Sequence, residues 1–151
     1  MNVEMRRKAE LFYKAQEDIW LADYAWKGSP NLAVWLCTQA VEKTMKGYLF
    51  CFGKEYGFDH NLNDLLDAIN QLVKLPQEIK DHIAYLGFFQ SKLRYRNMKT
   101  DPTVGDTKVA ISRAKIVMEE FAKISDISSY VAEAREVHAK IMKSIAEEES
   151  T

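Results

Sequence analysis

The densest group of residues that could do chemistry lies at residues 91–99, with the sequence SKLRYRNMK. It holds four cations around the aromatic ring of Tyr95, and its centre is formed by Arg94, Arg96 and Asn97. An arginine guanidinium can grip a phosphate through two hydrogen bonds, and a tyrosine ring can stack on a base, so a nucleotide or an RNA segment would suit this cluster. Two other interpretations stay open: the cations stabilise the C-terminus of a helix, or they contact a partner protein.

Three further basic residues are candidates for a ligand-binding site. His60 lies in the segment Asp59-His60-Asn61-Leu62, ahead of a predicted helix, where a histidine is more often a hydrogen-bonding group between helices than a catalyst. Lys43 and Lys46 form a small basic strip, which we predict to be a solvent-exposed edge or, as the alternative, the lining of a groove.

Familiar catalytic and metal-binding patterns are absent from the sequence. The three histidines, His60, His82 and His138, fall in different predicted elements and have no carboxylate or cysteine at ligand spacing. No Walker loop, GxGxxG, GxSxG or HExxH motif occurs. We therefore predict no metal, no cofactor and no catalytic residue of these enzyme types.

The elements that must position the candidate residues are predicted to be helices, because apolar residues recur at helical spacing and no strand-like alternation occurs. The predicted helices are residues 3–27, 30–52, a short one capped by Asn61, one from Pro76 to about Leu93, one from 103–106 to Ile124, and a last one from Tyr130 to Ile145. The polar interval 125–129 either breaks the fifth helix or only bends it. The second helix has two apolar stripes and is placed centrally.

This pattern predicts an all-α fold, an up-and-down antiparallel bundle of four long helices plus a short helix, with a C-terminal helical extension. We assign residues 1–125 to the bundle and residues 126–151 to an amphipathic helix that packs on the bundle or on a partner. Cys37 and Cys51 would lie about 21 Å apart on one helix, which is too far for a disulfide, so we predict buried, reduced thiols.

The charge balance limits the partners of the molecule as a whole. The net charge is -1, so attraction to an RNA backbone or an anionic membrane must come from a local cluster. No stretch approaches the ~20 apolar residues of a membrane span, and the first residues lack the apolar run of a secretory signal. These features predict a soluble, cytoplasmic protein without membrane contact.

Four segments, in order along the chain, make the sequence resemble the HEPN-domain family. They are residues 15–19 (AQEDI), residues 36–49 (LCTQAVEKTMKGYL), the segment His60-Asn61-Leu62 with Leu65-Leu66, and residues 93–96 (LRYR). The resemblance spans roughly residues 8–125, and residues 36–49, with a glutamine-alanine pair, a Glu-Lys pair and a second lysine, are its most recognisable part. Each segment is weakly specific alone, and their common order makes the resemblance stronger.

The resemblance implies a helical bundle, usually dimeric, that is similar to the C-terminal domain of kanamycin nucleotidyltransferase. Many small HEPN proteins act with a minimal nucleotidyltransferase, in some cases as the toxin of a toxin-antitoxin pair. Others are metal-independent ribonucleases, in which an arginine and a histidine a few residues later meet across the dimer, so that the imidazole transfers protons beside a phosphate held by the arginine.

The sequence departs from that ribonuclease pair. After Arg96-Asn97 the histidine would fall at residues 101–103, which are Asp101, Pro102 and Thr103, and after Arg94 it would fall at residues 99–101, which also lack histidine. We therefore predict a homodimeric binding module, either for a nucleotide or RNA or for a nucleotidyltransferase. The alternatives are a ribonuclease with a divergent site, such as Arg96, His60 and Asp101, and a purely structural dimerisation protein.

Overall fold

The computed structural model describes residues 3–54, 61–94 and 101–151, with side chains except at 3–7, 93–94 and 125–126, and every regular element in these ranges is a helix. The helices are α1 (Val3–Ala25), α2 (Pro30–Cys51), α3 (Leu62–Asn70), α4 (Gln77–Arg94), α5 (Val104–Ala122) and α6 (Ser125–Glu149). The predicted all-α bundle of four long helices and a short one, with a C-terminal helical extension, is confirmed.

The central position predicted for α2 is confirmed, because it contacts all the other helices. Its fully buried residues come from both of its apolar stripes and include Val34, Cys37, Val41, Met45 and Tyr48. An apolar face of this width stays out of water only when neighbours cover more than one side of the helix. Antiparallel to α2 runs α1, since Phe12 lies beside Gly47 and Asp18 beside Lys43.

Two helices begin at the caps that the sequence predicts. The hydroxyl oxygen of Ser29 accepts a hydrogen bond from the backbone N–H of Leu32 at 3.2 Å, and Pro30 follows as the first helical residue of α2. The side-chain oxygen of Asn61 accepts from the backbone N–H of Asn63 at 2.8 Å at the start of α3. Each cap satisfies an N–H that has no partner inside its own helix.

A capping box marks the start of α5, and a short connection to the next helix marks its end. Thr103 Oγ1 accepts from the Asp106 backbone N–H, and Asp106 Oδ2 accepts from the Thr103 backbone N–H, both at 3.0 Å. The helix ends at Ala122, and α6 begins at Ser125 after a two-residue connection. The polar interval after Ile124 therefore belongs to a new helix. The helix is interrupted just before this interval and is not merely bent there.

The last helix, α6, packs along α1 in a parallel direction. The rings of Phe12 and Tyr130 are 6.4 Å apart, and those of Trp20 and His138 are 6.1 Å apart. Both pairs are eight residues apart on each helix, which fixes the register. Helix α1 ends at Ala25, five residues after Trp20, whereas α6 continues to Glu149, eleven residues after His138. The difference of six residues means that α6 extends roughly 9 Å beyond α1 at 1.5 Å per residue.

The two cysteines are free thiols, as predicted, with Cys37 buried and Cys51 partly buried. Burial raises the pKa of Cys37 to about 12, and the negative charge of Asp23 adds to this while Lys115 opposes it. A thiol with this pKa stays protonated near neutral pH, so Cys37 is a packing residue and not a nucleophile.

We expect Gly47→Ala to destabilise the protein although alanine favours helices. A Cβ atom at position 47 would lie 2.8 Å from Cζ of the buried Phe12 ring. Overpacking costs about 1–3 kcal/mol and the gain in helix propensity offsets about 1 kcal/mol, so the expected net loss is about 1 kcal/mol in urea unfolding. Gly28→Ala is the matched control, because a Cβ there meets nothing within 4 Å. A Gly47→Ala protein as stable as the control would contradict the close packing of α1 on α2.

Candidate functional site

Polar side chains are buried inside the bundle at two interfaces of α2, one with α1 and one with α4. Asp18 of α1, Glu42 of α2 and Gln90 of α4 are buried, and Lys43 and Lys46 of α2 join them at the margin. We call these five residues the polar seam. Because a buried polar group without a partner is costly, pairing within the seam restricts how these helices can pack.

The amide of Gln90 links three helices. Its Oε1 accepts a hydrogen bond from the backbone N–H of Leu62 at 3.0 Å, and its Nε2 donates to Oε1 of Glu42 at 3.5 Å, which is long for a hydrogen bond. Leu62 is the first residue of α3, where the backbone N–H groups lack partners within the helix. A side chain of α4 therefore satisfies the start of α3 and holds it next to α2.

Both lysines of the seam are paired with carboxylates of the bundle. Lys43 Nζ forms a hydrogen-bonded ion pair with Asp18 Oδ2, and Lys46 Nζ lies 3.7 Å from Glu42 Oε2. The side chains of Lys43 and Lys46 are only 25% and 12% exposed, so they do not form the solvent-exposed edge that the sequence favours. Carboxylates located inside the bundle draw both ammonium groups inward.

The sequence contained a signal for this pairing that spacing arguments alone miss. Asp18 precedes Ile19 on the apolar stripe of α1, and Glu42 follows Val41 on the buried side of α2. An acidic residue in a core-facing position is rarely buried unless a cation is supplied. Asp18 and Lys43 are 25 residues apart, however, so only the packing of α1 on α2 identifies the partners.

Burial has raised the pKa of Asp18 above its ordinary value, and the hydrogen bond and positive charge of Lys43 lower it by less. The carboxylate is therefore kept in its charged form mainly by one ammonium group. The pair joins α1 to α2, and the Lys43 ammonium group is already engaged by a carboxylate of the bundle.

The seam lies next to the points where the predicted site residues join the bundle. Arg94 is the last residue of α4, one helical turn after Gln90, and Leu62 is two residues after His60. His60 itself, and Tyr95, Arg96 and Asn97, lie outside the described residues. Of the positions where the ribonuclease histidine would fall, Pro102 is buried and Thr103 caps α5.

A second polar feature, which sequence reasoning missed, is an open groove of about 360 Å³ between α1, α5 and α6. Trp20 lies in the groove, and two ion pairs border it: Lys115 with Asp23 at 2.8 Å and Arg135 with Glu119 at 2.9 Å. The four charges of these two pairs balance, so together they give the groove no net charge. Its pairs join helices that are distant in sequence, which no local motif reveals.

The described residues offer no metal centre and no membrane span. Within residues 3–54, 61–94 and 101–151 no three His, Cys, Asp or Glu side chains are grouped so that they could hold a metal ion. In the same part of the chain, no helix combines the length and the apolar character needed to cross a membrane.

These features define a class of protein: an all-helical bundle whose central helix carries an internal charged seam beside the basic end of α4. The model of the HEPN domain family matches residues 5–125. The chain therefore belongs to the HEPN domain family, as the resemblance of its segments predicts.

One solved structure supports the fold independently. The crystal structure of an archaeal HEPN homologue matches with a TM-score of 0.62 and 24% sequence identity, over 76% of this chain and 93% of that chain. At this identity the match shows the fold alone. No curated protein matches the chain.

We expect Lys43→Met to destabilise the protein strongly at neutral pH and weakly at acidic pH. The substitution leaves the Asp18 carboxylate without its cation, and removing one partner of a buried pair costs about 3–5 kcal/mol, here reduced by partial exposure. The pKa of Asp18, already raised by burial, rises further without Lys43. As pH falls through this pKa the variant takes up a proton before wild type does, so the difference in unfolding free energy shrinks.

Urea unfolding across a pH series from about pH 7 to about pH 5 measures this difference. Lys115→Met is the matched control, since its partner Asp23 is 44% exposed and the pair is screened by solvent. Two results would exclude the Asp18–Lys43 pair as the source of the stabilisation. In one, the loss of unfolding free energy in Lys43→Met stays constant with pH, and in the other it is no larger than the loss in Lys115→Met.

Proposed function

We propose that this HEPN-family chain is a homodimeric binding module for a phosphate-bearing ligand, a nucleotide or a short RNA, without ribonuclease activity of the Arg–His type. The proposed ligand-binding residues are Arg94, Tyr95, Arg96 and Asn97, with His60, Lys43 and Lys46 beside them. Membership of the family supports a nucleotide-related or RNA-related role, and the cation-aromatic cluster supplies groups that suit such a ligand.

One hydrogen bond carries the proposal, the one from the Leu62 backbone N–H to Gln90 Oε1. Leu62 follows His60 by two residues, and Gln90 precedes Arg96 by six residues. The bond ties together the attachment points of the two segments that contain the histidine and the arginines. A phosphate-bearing ligand bound at this end of α4 would therefore lie next to the points from which both segments start.

Within this proposal the two lysines position the site, and the arginines make the direct contacts. Lys43 pairs with Asp18 and Lys46 with Glu42, so the seam contributes two negative and two positive charges and no net charge. Arginine also has the better geometry for phosphate, because its planar group donates two parallel hydrogen bonds.

The proposed lack of Arg–His ribonuclease activity is supported by the roles of the residues found where the histidine would fall. Thr103 exchanges two hydrogen bonds with Asp106 in the capping box of α5, and Pro102 is buried ahead of it. A hydroxyl and a proline ring have no group that titrates near neutral pH, so neither residue replaces an imidazole in proton transfer.

A second candidate is a metal-independent ribonuclease that uses His60 with Arg96 and Asp101. The same bond between Leu62 and Gln90 favours it, because it anchors both segments at one place. In another form of the binding proposal, the cluster contacts a protein, a minimal nucleotidyltransferase, as in a toxin-antitoxin pair. The resemblance to the HEPN family supports this form. Binding and cleavage measurements on the same RNA separate these candidates.

The binding proposal predicts that the Arg94→Ala/Arg96→Ala double variant raises the dissociation constant for a short labelled RNA, or for ATP or GTP, at least about tenfold, or 1.4 kcal/mol. Each lost hydrogen bond to a charged group costs about 1.5–3 kcal/mol, so this is a lower bound. Isothermal titration measures the binding of the nucleotides, and fluorescence anisotropy measures the binding of the RNA. The salt dependence of RNA binding should become shallower in the variant, because fewer counterions are released.

Lys14→Ala/Lys123→Ala is the matched control, since it removes the same charge from exposed positions on α1 and after α5. It should bind as wild type does. Equal weak heats and equal anisotropy from all three proteins would exclude nucleotide and RNA binding and favour the protein-partner version. RNA cleavage in EDTA that disappears in His60→Ala would assign the chain to the ribonucleases.

A further inference from the structure

The groove between α1, α5 and α6 has the size and lining of a small-ligand site. Its volume of about 360 Å³ falls in the usual range of such sites, about 300–1,000 Å³, which often form between the helices of a bundle. Ile19 and Met118 give the groove an apolar lining, and Trp20 adds an aromatic ring. Arg135 of α6 completes it and lies beyond residues 5–125, the part of the chain that the HEPN family model matches.

The ring of Trp20 is held in its orientation by two neighbouring rings. Its centroid lies 4.9 Å from that of Tyr24 and 6.1 Å from that of His138, and the His138 ring is inclined to it by 69°. The indole N–H of Trp20 has no hydrogen-bond partner among the described residues. A ring that is already ordered loses little freedom when a flat apolar group stacks on it, so Trp20 is suited to such a group.

Polar groups with further hydrogen-bonding capacity lie beside this ring. Gln16, one turn before Trp20, lines the groove, and its amide has no hydrogen-bond partner within residues 3–54, 61–94 and 101–151. Because α6 runs parallel to α1 with His138 beside Trp20, Arg135 lies at the height of Gln16 along α1. Arg135 donates from Nη2 to Glu119 Oε2, which uses one of the five N–H donors of a guanidinium group.

These groups favour a ligand that carries both a positive and a negative charge. The Arg135 guanidinium and the Gln16 amide N–H groups suit a carboxylate, and the Glu119 carboxylate suits an ammonium group. A phosphate would also meet the negative charge of Glu119, whereas a zwitterion meets opposite charge at both of its ends. The side chains of Arg135 and Glu119 are 43% and 54% exposed, so their own ion pair contributes little stability and can share its groups with a ligand.

The other end of the groove is bordered by an ion pair that is already saturated by its own partners. Lys115 Nζ lies 3.0 Å from Oδ1 and 2.8 Å from Oδ2 of Asp23. Asp23 is three residues after Trp20, about 4.5 Å further along α1 and away from Arg135. A ligand with its charged groups at Arg135 therefore extends its side group along the Trp20 ring toward this pair.

We propose that the groove binds a free aromatic α-amino acid. Arg135 and Gln16 hold its carboxylate, Glu119 holds its ammonium group, and its ring stacks on Trp20. This site goes beyond the proposed nucleotide or RNA binding and shares no residue with it.

Isothermal titration of the full chain with L-phenylalanine tests the ligand class. Wild type should give saturable heats with one ligand bound per chain. N-acetyl-L-phenylalanine lacks the ammonium group, L-phenylalaninamide lacks the carboxylate and L-alanine lacks the ring, so each should bind at least about tenfold more weakly. The absence of saturable heats up to about 10 mM L-phenylalanine, or equal affinity for the three analogues, would overturn the proposal.

Substitutions test the assigned residues. Arg135→Met and Trp20→Leu should each raise the dissociation constant for L-phenylalanine at least about tenfold. The matched controls are Lys140→Met, which removes an exposed cation from the same helix, and Trp35→Leu, which replaces an exposed tryptophan of α2; both should bind as wild type does. Circular dichroism checks that each variant keeps its helices, and Gln16→Leu, at a partly exposed position, gives a further variant that should bind more weakly.

Variants of Arg135 and Trp20 that bind L-phenylalanine as tightly as the controls do would overturn the site. Binding of ATP or a short RNA that is weakened by Trp20→Leu would overturn the choice of a zwitterion. This test is separate from that of the proposed function: without RNA or nucleotide binding the amino-acid site still stands, and without amino-acid binding the proposed function still stands.

Discussion

The fold depends on pairing the charges that its central helix carries inward. Because α2 is surrounded by other helices, the side chains of Glu42, Lys43 and Lys46 cannot all point into water. Their charged groups therefore need partners inside the bundle. Asp18 of α1 provides one and Gln90 of α4 another. Buried polar contacts are directional, unlike apolar packing, and misplacing one partner leaves a desolvated charge behind. The seam therefore selects one register for α1 and α4 on α2 from the several that the apolar stripes alone would allow.

This constraint extends to the start of α3. The Gln90 amide binds the first N–H of α3, so the register of α4 on α2 also sets where the chain re-enters the bundle after residue 60. The segment that follows α4 and the segment that precedes α3 thus begin from one rigid anchor. Rigid helices that fix the ends of short connecting segments are the usual means by which proteins keep variable functional residues in a defined place.

The sequence predicted the helices well because their determinants are local. The stripe of Phe12, Ala15 and Ile19 and the Ser29-Pro30 start of α2 need no knowledge of the tertiary structure. The pairing of Lys43 could not be predicted in the same way, since Asp18 lies on another helix and lysine in an amphipathic pattern is usually solvated. The cluster around Arg94 was apparent as a composition, but its geometry with His60 depends on contacts between segments far apart in sequence. Periodicity therefore predicts elements, whereas the chemistry of a site arises from long-range packing.

At the start of α5 a structural requirement occupies a position where the ribonuclease histidine of the family would fall. Thr103 is placed where a ribonuclease histidine would fall, and its hydroxyl and backbone N–H are both used in the capping box with Asp106. Threonine caps well because its oxygen is close to the backbone and accepts an N–H of the first turn, and Ncap substitution by a residue without such an acceptor costs about 0.5–2 kcal/mol. An imidazole at that position would have to give up either the cap or its freedom to reach a phosphate. In a chain that starts α5 with this box, residue 103 is therefore committed to the cap, and its hydroxyl does not exchange protons near neutral pH.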